Sequence, residues 1–244
     1  MELNLIFNEG MIIPVDKPYG WTSADVVRKI KFLLQKKTGV KNIKVGHAGT
    51  LDPLATGLLM ICAGKATKQA ESLQAEEKEY VAEIRLGATT PSFDLEEEID
   101  QTYPFLHITR EMFDRVLPQF IGEQEQVPPI FSAKLIDGKR AYELARAGKH
   151  AELRPSVITI HTLTAEQFAL PDVTIRMVCS KGTYVRSFAR DLGIALQSGA
   201  HLAGLRRTRS GQHNVNDAFT ISQIESMVEN WKIEKKVISL RPIP

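Results

Sequence analysis

Cysteine is scarce in this chain: Cys62 and Cys179 are the only two among 244 residues. They lie far apart, fit no metal-ligand spacing and suggest no disulfide framework. Long hydrophobic runs are missing as well; none approaches the about 18 apolar residues of a membrane span. The first ten residues lack the basic start and small-residue cleavage site of a signal peptide. Together these absences predict a cytoplasmic protein that does not contact a membrane. A phosphate-binding loop is also lacking, because Gly64-Lys65-Ala66 carries no hydroxyl after the lysine and Leu59 stands where the first glycine belongs. There is no Gly-x-Gly-x-x-Gly, no Gly-x-Ser-x-Gly elbow and no His/Cys/Asp cluster with metal-ligand spacing. Nucleotide, serine and metal chemistry have no motif to rest on, so no cofactor and no metal are expected.

A hydrophobic content of 43% with 25% charged residues is that of an ordinary globular chain, long enough for a sizeable core. The net charge of +2 says little, but its distribution says more. No acidic residue occurs between Asp25 and Asp52, an interval holding Arg28, Lys29, Lys31, Lys36, Lys37, Lys41 and Lys44. An acidic run, Asp94 to Asp100, opposes it, and Arg206, Arg207 and Arg209 form a third, basic cluster. Such polarity can steer a polyanion; on charge alone, a solvated helix face plus a loop is the favoured explanation.

The chemistry-bearing feature is Gly46-His47-Ala-Gly49-Thr-Leu51-Asp52-Pro53-Leu54-Ala55-Thr56-Gly57. It sets one carboxylate in a glycine-bracketed loop, and Pro53 disfavours a helical backbone at Asp52. That is a setting for an acid held still against a substrate, or for a turn-former before proline.

Around this loop the periodicities predict a helix from Thr22-Ser-Ala-Asp25, which has capping-box form, to Gly39. Further helices are expected over 65–78, 109–121, 140–147, 184–196 and 220–231. Strands are expected over 58–63, 80–86, 157–163 and 173–179, with a loop over 91–104 and a turn at Lys181-Gly182-Thr183. Strands and helices interleave without the period of a doubly wound fold. The expectation is a single α+β domain on a mostly antiparallel central sheet flanked by helices and loops.

The Gly46–Gly57 segment resembles the catalytic signature of the bacterial tRNA pseudouridine-55 synthase family, the TruB type. Other segments are similar to that family in the same order along the chain. They are Asp16-Lys17-Pro18-x-Gly20-x-Thr22-Ser23, Gly64-Lys-Ala-Thr-Lys68, and Tyr80 followed by Arg85-Leu86-Gly87. Then come Val127-Pro-Pro-Ile-Phe-Ser-Ala-Lys134 and Gly138-Lys-Arg140-Ala-Tyr142-Glu-Leu-Ala145-Arg146-x-Gly148. Cys179-Ser-Lys-Gly182-Thr183-Tyr184-Val-Arg186 and Gly199-Ala-His201-Leu-x-x-Leu205-Arg206-Arg207 complete the series. The resemblance covers about Val15 to Gly211.

The resemblance implies a pseudouridine synthase fold and isomerisation of uridine 55 in the T arm of tRNA. The glycosidic bond breaks, the held base rotates, and a C–C bond forms from C5, with no redox step and no group donor. A base inside a folded loop must be extruded before it can react, at about a few kcal/mol of lost stacking. Asp52 is then the essential carboxylate; attack at C1′ and removal of a ribose proton both require it ionised. Tyr80 matches the active-site tyrosine, and Arg186 the arginine paired with the carboxylate. His47 matches a residue that meets the RNA where the base has left the stack, and Leu205 an apolar wall of the base pocket. Arg206, Arg207 and the lysines after Asp25 are candidate phosphate contacts. Read without the resemblance, Tyr80 and Leu205 are ordinary core positions and His47 a structural histidine.

The implied partner is the tRNA T stem-loop, with a monomer acting without a protein partner. The catalytic domain is expected over 1–211. The remaining 212–244 form a short C-terminal extension rather than a full RNA-binding domain of the PUA type, which many family members carry. The alternative is a non-catalytic tRNA-binding chaperone or ribonucleoprotein subunit of the same fold; a guide-RNA-dependent synthase is a third reading.

Overall fold

The computed structural model describes residues 10–131, 135–136, 139–140 and 153–231. Among these the strands are β1 (Met11–Lys17), β2 (Val45–Ala48), β3 (Ala55–Ala63), β4 (Lys78–Leu86), β5 (Ala88–Thr89) and β6 (Gln101–Thr102). They continue with β7 (Gly122–Gln126), β8 (Leu135–Ile136), β9 (Lys139–Arg140), β10 (Ser156–Ala169), β11 (Asp172–Cys179), β12 (Ala200–Ser210) and β13 (His213–Asn214). The helices are α1 (Ser23–Thr38), α2 (Ala70–Ala75), α3 (Arg110–Val116), α4 (Val185–Ala195) and α5 (Ile221–Asn230).

A nine-stranded sheet runs β1-β3-β12-β4-β11-β10-β7, with β2 added to β3 and β13 to β12. Its ladders are antiparallel except β3–β12, which is parallel. This is an α+β arrangement, a mixed central sheet flanked by helices. Among the described residues no helix is long and apolar enough to cross a membrane.

β3 shows why the sheet reads as it does. Its run Leu58-Leu-Met-Ile-Cys-Ala63 is continuously apolar because both faces are covered. Leu59 and Ile61 join the larger core with Ile30, Leu34, Ile84, Met177 and Phe188. Leu58, Met60 and Cys62 join a smaller one with Ala48, Ala66, Leu73 and Val215. β4 has one covered face instead: Tyr80, Ala82, Ile84 and Leu86 are in the larger core while Glu83 and Arg85 are exposed.

α1 forms as its sequence demands. Thr22 and Asp25 make the reciprocal capping box, and Gly39 closes the helix at φ 73°. Val26, Ile30 and Leu34 are buried. The basic interval after Asp25 is only partly free: Arg28 pairs with Asp25, Lys29 with Glu225, and Lys37 donates to the Glu229 carbonyl at 2.8 Å. Lys31, Lys36, Lys41 and Lys44 are exposed.

Several expectations shift. The helix expected over 65–78 divides into a 3-10 turn (Gly64–Gln69) and the short α2, and Lys78 already belongs to β4. Lys78 itself stops α2: its buried Nζ donates to the carbonyls of Leu73, Gln74 and Glu76 at 3.1, 2.7 and 2.6 Å. Helix 109–121 is α3 followed by a 3-10 turn (Leu117–Phe120) containing Pro118. The strand at 157–163 extends to Ala169. β1, β7 and β12 were not expected as strands, and the catalytic-signature loop begins in one, since Gly46, His47 and Ala48 lie in β2. The helix expected over 140–147 lies outside the described residues, apart from Arg140 in β9.

Candidate active site

Asp52 follows β2 and is held from three directions before any substrate is considered. Ser23, at the first turn of α1, accepts from the Leu51 amide at 2.9 Å and donates back to the Leu51 carbonyl at 3.0 Å. The Gly20 amide donates to the Pro53 carbonyl at 2.9 Å. Lys17, fully buried, donates from Nζ to the carbonyls of Trp21 (2.6 Å), Pro18 (3.0 Å) and Pro53 (3.2 Å). The turn after β1 and the loop carrying Asp52 are thereby one unit. Burial lowers the Lys17 ammonium to a pKa of about 8, against the opposing pull of Asp52. The role of Lys17 is therefore to brace this loop. Lys17→Met leaves three carbonyls without their donor and is expected to destabilise the fold by about 3 kcal/mol, read from urea unfolding.

The carboxylate meets Arg186, the second residue of α4: Nε lies 3.0 Å from Oδ2. Arg186 is 5% exposed and Asp52 36%, so the pair is a buried cation beneath an acid that water still reaches. Arg186 also approaches the Asp94 carboxylate (Nη1 to Oδ2, 3.6 Å) and donates to the carbonyls of Ser92 (3.3 Å) and Phe131 (2.9 Å). Burial pushes the Asp52 carboxyl above its ordinary value; Arg186 opposes this and the nearby Asp94 adds to it. Asp94 is itself buried. Sequence reasoning missed it by placing it in an acidic loop, and no local pattern sets it apart from the acidic residues that follow.

Asp52 and Arg186 share a cleft of about 320 Å³ with Tyr80, Leu205, Arg207, Lys78 and Lys181. Tyr80 is on β4, and its neighbours across the ladders are Met177 on β11 and Arg207 on β12. Burial raises the Tyr80 phenol, and Arg207 works against that. The ring is therefore a protonated, largely apolar surface with one cation beside it. Leu205 reaches the cleft from β12, opposite Ala55 of β3.

His47, expected to meet the RNA, and Arg206 and Arg207, expected to contact phosphates, do not form one open basic surface. His47 is not part of the cleft lining; its Nδ1 is buried without a hydrogen-bond partner, and burial lowers its pKa, reinforced by Arg207. Both influences favour the neutral imidazole. Arg206 is committed to Asp16, with Nη1–Oδ1 at 3.0 Å and Nη2–Oδ2 at 2.8 Å. Arg207 is 1% exposed, which corrects its expected place on an open basic surface. It donates from Nε to the Leu58 carbonyl (2.6 Å) and from Nη2 to the Gly49 carbonyl (3.1 Å). The reason is local. β12 shifts register between Leu202 and Gly204 and again between Arg207 and Arg209, which upsets simple alternation. Opposite it, Gly57 at φ 99° lets the β3 backbone approach, since a Cβ there would stand 2.3 Å from the Arg207 carbonyl oxygen. Arg207 therefore ties the Gly49 loop to the sheet and lends positive potential to the cleft floor.

The arrangement offers an anchored carboxylate paired with a buried cation, an aromatic floor and an apolar wall, in a cavity of the size that encloses one small ligand. Among the described residues no cluster of three His, Cys, Asp or Glu could hold a metal ion.

Comparison with known proteins points the same way. The model of the TruB family pseudouridylate synthase N-terminal domain matches residues 35–185, and that of the tRNA pseudouridylate synthase B C-terminal domain matches residues 186–243. The tRNA pseudouridine synthase B of Phocaeicola vulgatus is 53% identical over 231 residues, covering 95% of this chain and 98% of its own. That of Flavobacterium johnsoniae is 50% identical over 222 residues, covering 91% and 97%. Among solved structures, one chain of a Cbf5-Nop10-Gar1 complex superposes with a TM-score of 0.68 at 29% identity, over 93% of this chain and 56% of that one. One from an archaeal box H/ACA Nop10-Cbf5 complex gives 0.66 at 27%, over 95% and 57%.

Proposed function

The chain belongs to the TruB family of pseudouridylate synthases, and on that premise we propose that it isomerises the uridine at position 55, in the T arm of tRNA, to pseudouridine. The activity is that of a tRNA pseudouridine synthase, an isomerase. The observation that carries the finer reading is the Asp52–Arg186 pair, 3.0 Å apart in a cleft that also presents Tyr80 and Leu205.

In this reading the uridine leaves its stack, because the cleft admits a single nucleoside and not a paired base. Its uracil lies on the Tyr80 ring with Leu205 against it. Asp52 acts as the carboxylate at the ribose while the C1′–N1 bond breaks. The base rotates within the cleft, C5 bonds to C1′, and the C5 proton is lost as N1 gains one, so atoms and electrons balance without a co-reactant. Arg186 keeps Asp52 ionised and aimed. His47 meets the RNA outside the cleft. Exposed lysines of the 31–44 interval bind backbone phosphates, a contribution that weakens with salt. Arg207 serves the reaction from below as part of the cleft wall.

The catalytic unit is taken to run through Gly211, because β12 (200–210) is inserted between β3 and β4 of the same sheet. The protein works in the cytoplasm as a monomer on the T stem-loop, without a protein or guide-RNA partner.

The test is incubation of the full chain with unmodified tRNA, followed by chemical mapping of pseudouridine. Product at the T-arm uridine, and none when that position is cytidine, is expected. A folded protein that leaves naked tRNA unmodified overturns the assignment, and turnover appearing only with a guide RNA would move it to the ribonucleoprotein class.

A further inference from the structure

We propose that Arg190 and Phe93 form a latch that positions Asp94 against Arg186, and so sets the geometry of the Asp52 carboxylate; this rests on the catalytic reading of Asp52 above. The observation that demands an explanation is Phe93. Its φ is 63°, in the left-handed region that an aromatic residue occupies only when its surroundings hold it there. Asn or Gly would adopt that turn with less strain.

The surroundings are specific. The Arg190 guanidinium lies 4.9 Å from the Phe93 ring centroid, within cation–π range. The Phe93 carbonyl accepts from the Leu202 amide at 2.9 Å, and its own amide donates to the Thr90 carbonyl at 3.1 Å. Arg190 is fixed in turn by Asp191 at 2.7 Å and by the Val127 carbonyl at 3.4 Å. The left-handed residue reverses the chain between Ser92 and Asp94. That reversal brings both the Ser92 carbonyl and the Asp94 carboxylate to Arg186, at 3.3 and 3.6 Å. Thr90 Oγ1 then closes the turn on the Asp94 carbonyl at 2.6 Å.

Arg186 and Arg190 stand four residues apart on α4, on one face of the helix. One helix therefore supplies the cation that meets Asp52 and Asp94 and also the cation that holds the loop delivering Asp94. Arg190 and Phe93 touch no reacting atom; they are positioning residues. Without the ring contact the strained turn loses its restraint, Asp94 leaves Arg186, and the guanidinium is no longer shared between two carboxylates in a fixed geometry.

Steady-state and single-turnover pseudouridine formation on unmodified tRNA tests this with Arg190→Ala, Phe93→Ala, Phe93→Tyr, Asp94→Asn and the double variant Arg190→Ala/Asp94→Asn. Arg190→Ala and Phe93→Ala are expected to lower kcat by about tenfold or more, with KM for tRNA nearly unchanged. Phe93→Tyr, which keeps the ring, should recover most of the Phe93→Ala loss. Adding Arg190→Ala to Asp94→Asn should cost little further rate, because both act through the same contact. Should Arg190→Ala melt early, Arg190→Met, which keeps the aliphatic stem, replaces it. A loss confined to KM, full multiplication of the two losses in the double variant, or Phe93→Tyr as poor as Phe93→Ala overturns the latch. Wild-type rates in Arg190→Ala reject the latch alone, whereas a wild-type chain without product rejects the enzymatic reading beneath it.

Discussion

Replacing Asp52 with Asn is expected to lower pseudouridine formation by about 10⁴-fold or more, while tRNA binding changes little. The substitution keeps size and shape and removes only the charge. The loop that presents residue 52 is braced through its backbone, by Ser23, Gly20 and Lys17, so its path does not depend on the carboxylate. Arg186 keeps Asp94 and the Ser92 and Phe131 carbonyls when Asp52 is neutralised. The fold should survive, and the melting temperature should stay near that of the wild type. In the proposed reading exposed lysines hold the RNA without Asp52, so binding and turnover should separate. Single-turnover assays with gel-shift binding on the same preparation check both halves. Retention of a tenth of the wild-type rate would remove Asp52 from the chemistry. Loss of activity in step with loss of folded protein would make it a structural residue instead.

What could be read from the residues alone, and what could not, divides along physical lines. Tyr80 and Arg186 became candidates only through the family resemblance of the motifs that hold them, since read alone Tyr80 is a core position; the structure brings both to the cleft of Asp52. The helix after Thr22 was legible because its cap, its apolar spacing and its closing glycine are all local. Asp94 was not legible. Its neighbours Glu96, Glu97 and Glu98 are exposed, and Asp94 is set apart from them by the left-handed turn that precedes it at Phe93, which aims it inward. Its partner Arg186 is remote in sequence, and no periodicity reports a contact of that kind. β12 was missed for a different reason. Ala200-His-Leu-Ala-Gly-Leu-Arg-Arg-Thr-Arg-Ser210 does not alternate, because two register shifts interrupt it. Two adjacent arginines then read as one basic patch, whereas Arg206 pairs with Asp16 and Arg207 enters the core. Charge on a strand says which residue needs a partner, and only the register says where the partner is. Lys17 and Lys78 repeat the lesson: both resemble surface lysines in sequence, and both are buried braces that hold carbonyls of a turn or a helix end.

Removing Arg186 should produce the second large effect, with a pH signature that separates it from simple misfolding. Arg186→Ala takes the single cation from between two carboxylates, and Arg186→Lys restores a charge without the planar fork that reaches Asp52, Asp94 and two carbonyls together. The expected losses are about 10³-fold for alanine and about 10- to 100-fold for lysine. The direction of the pH effect follows from the forces on Asp52. Burial already raises its carboxyl above the ordinary 3.8, and Arg186 is the largest opposing influence. Without that cation the pKa rises further. In the proposed reading the carboxylate is the active form, so the acid limb of the kcat/KM profile should move to higher pH, and the deficit should be greater at pH 6 than at pH 8. Stability carries the same sign. A carboxyl whose folded pKa lies above its unfolded value binds more protons in the folded state, so its contribution falls as pH rises from about 3.8 through the folded pKa. Arg186→Ala widens that window. The gap in melting temperature between the variant and the wild type should therefore grow from pH 4 to pH 7, as Asp52 ionises without its cation. A gap that stays constant with pH, together with an unmoved acid limb, would mean that Arg186 serves packing alone and does not set the charge state of Asp52.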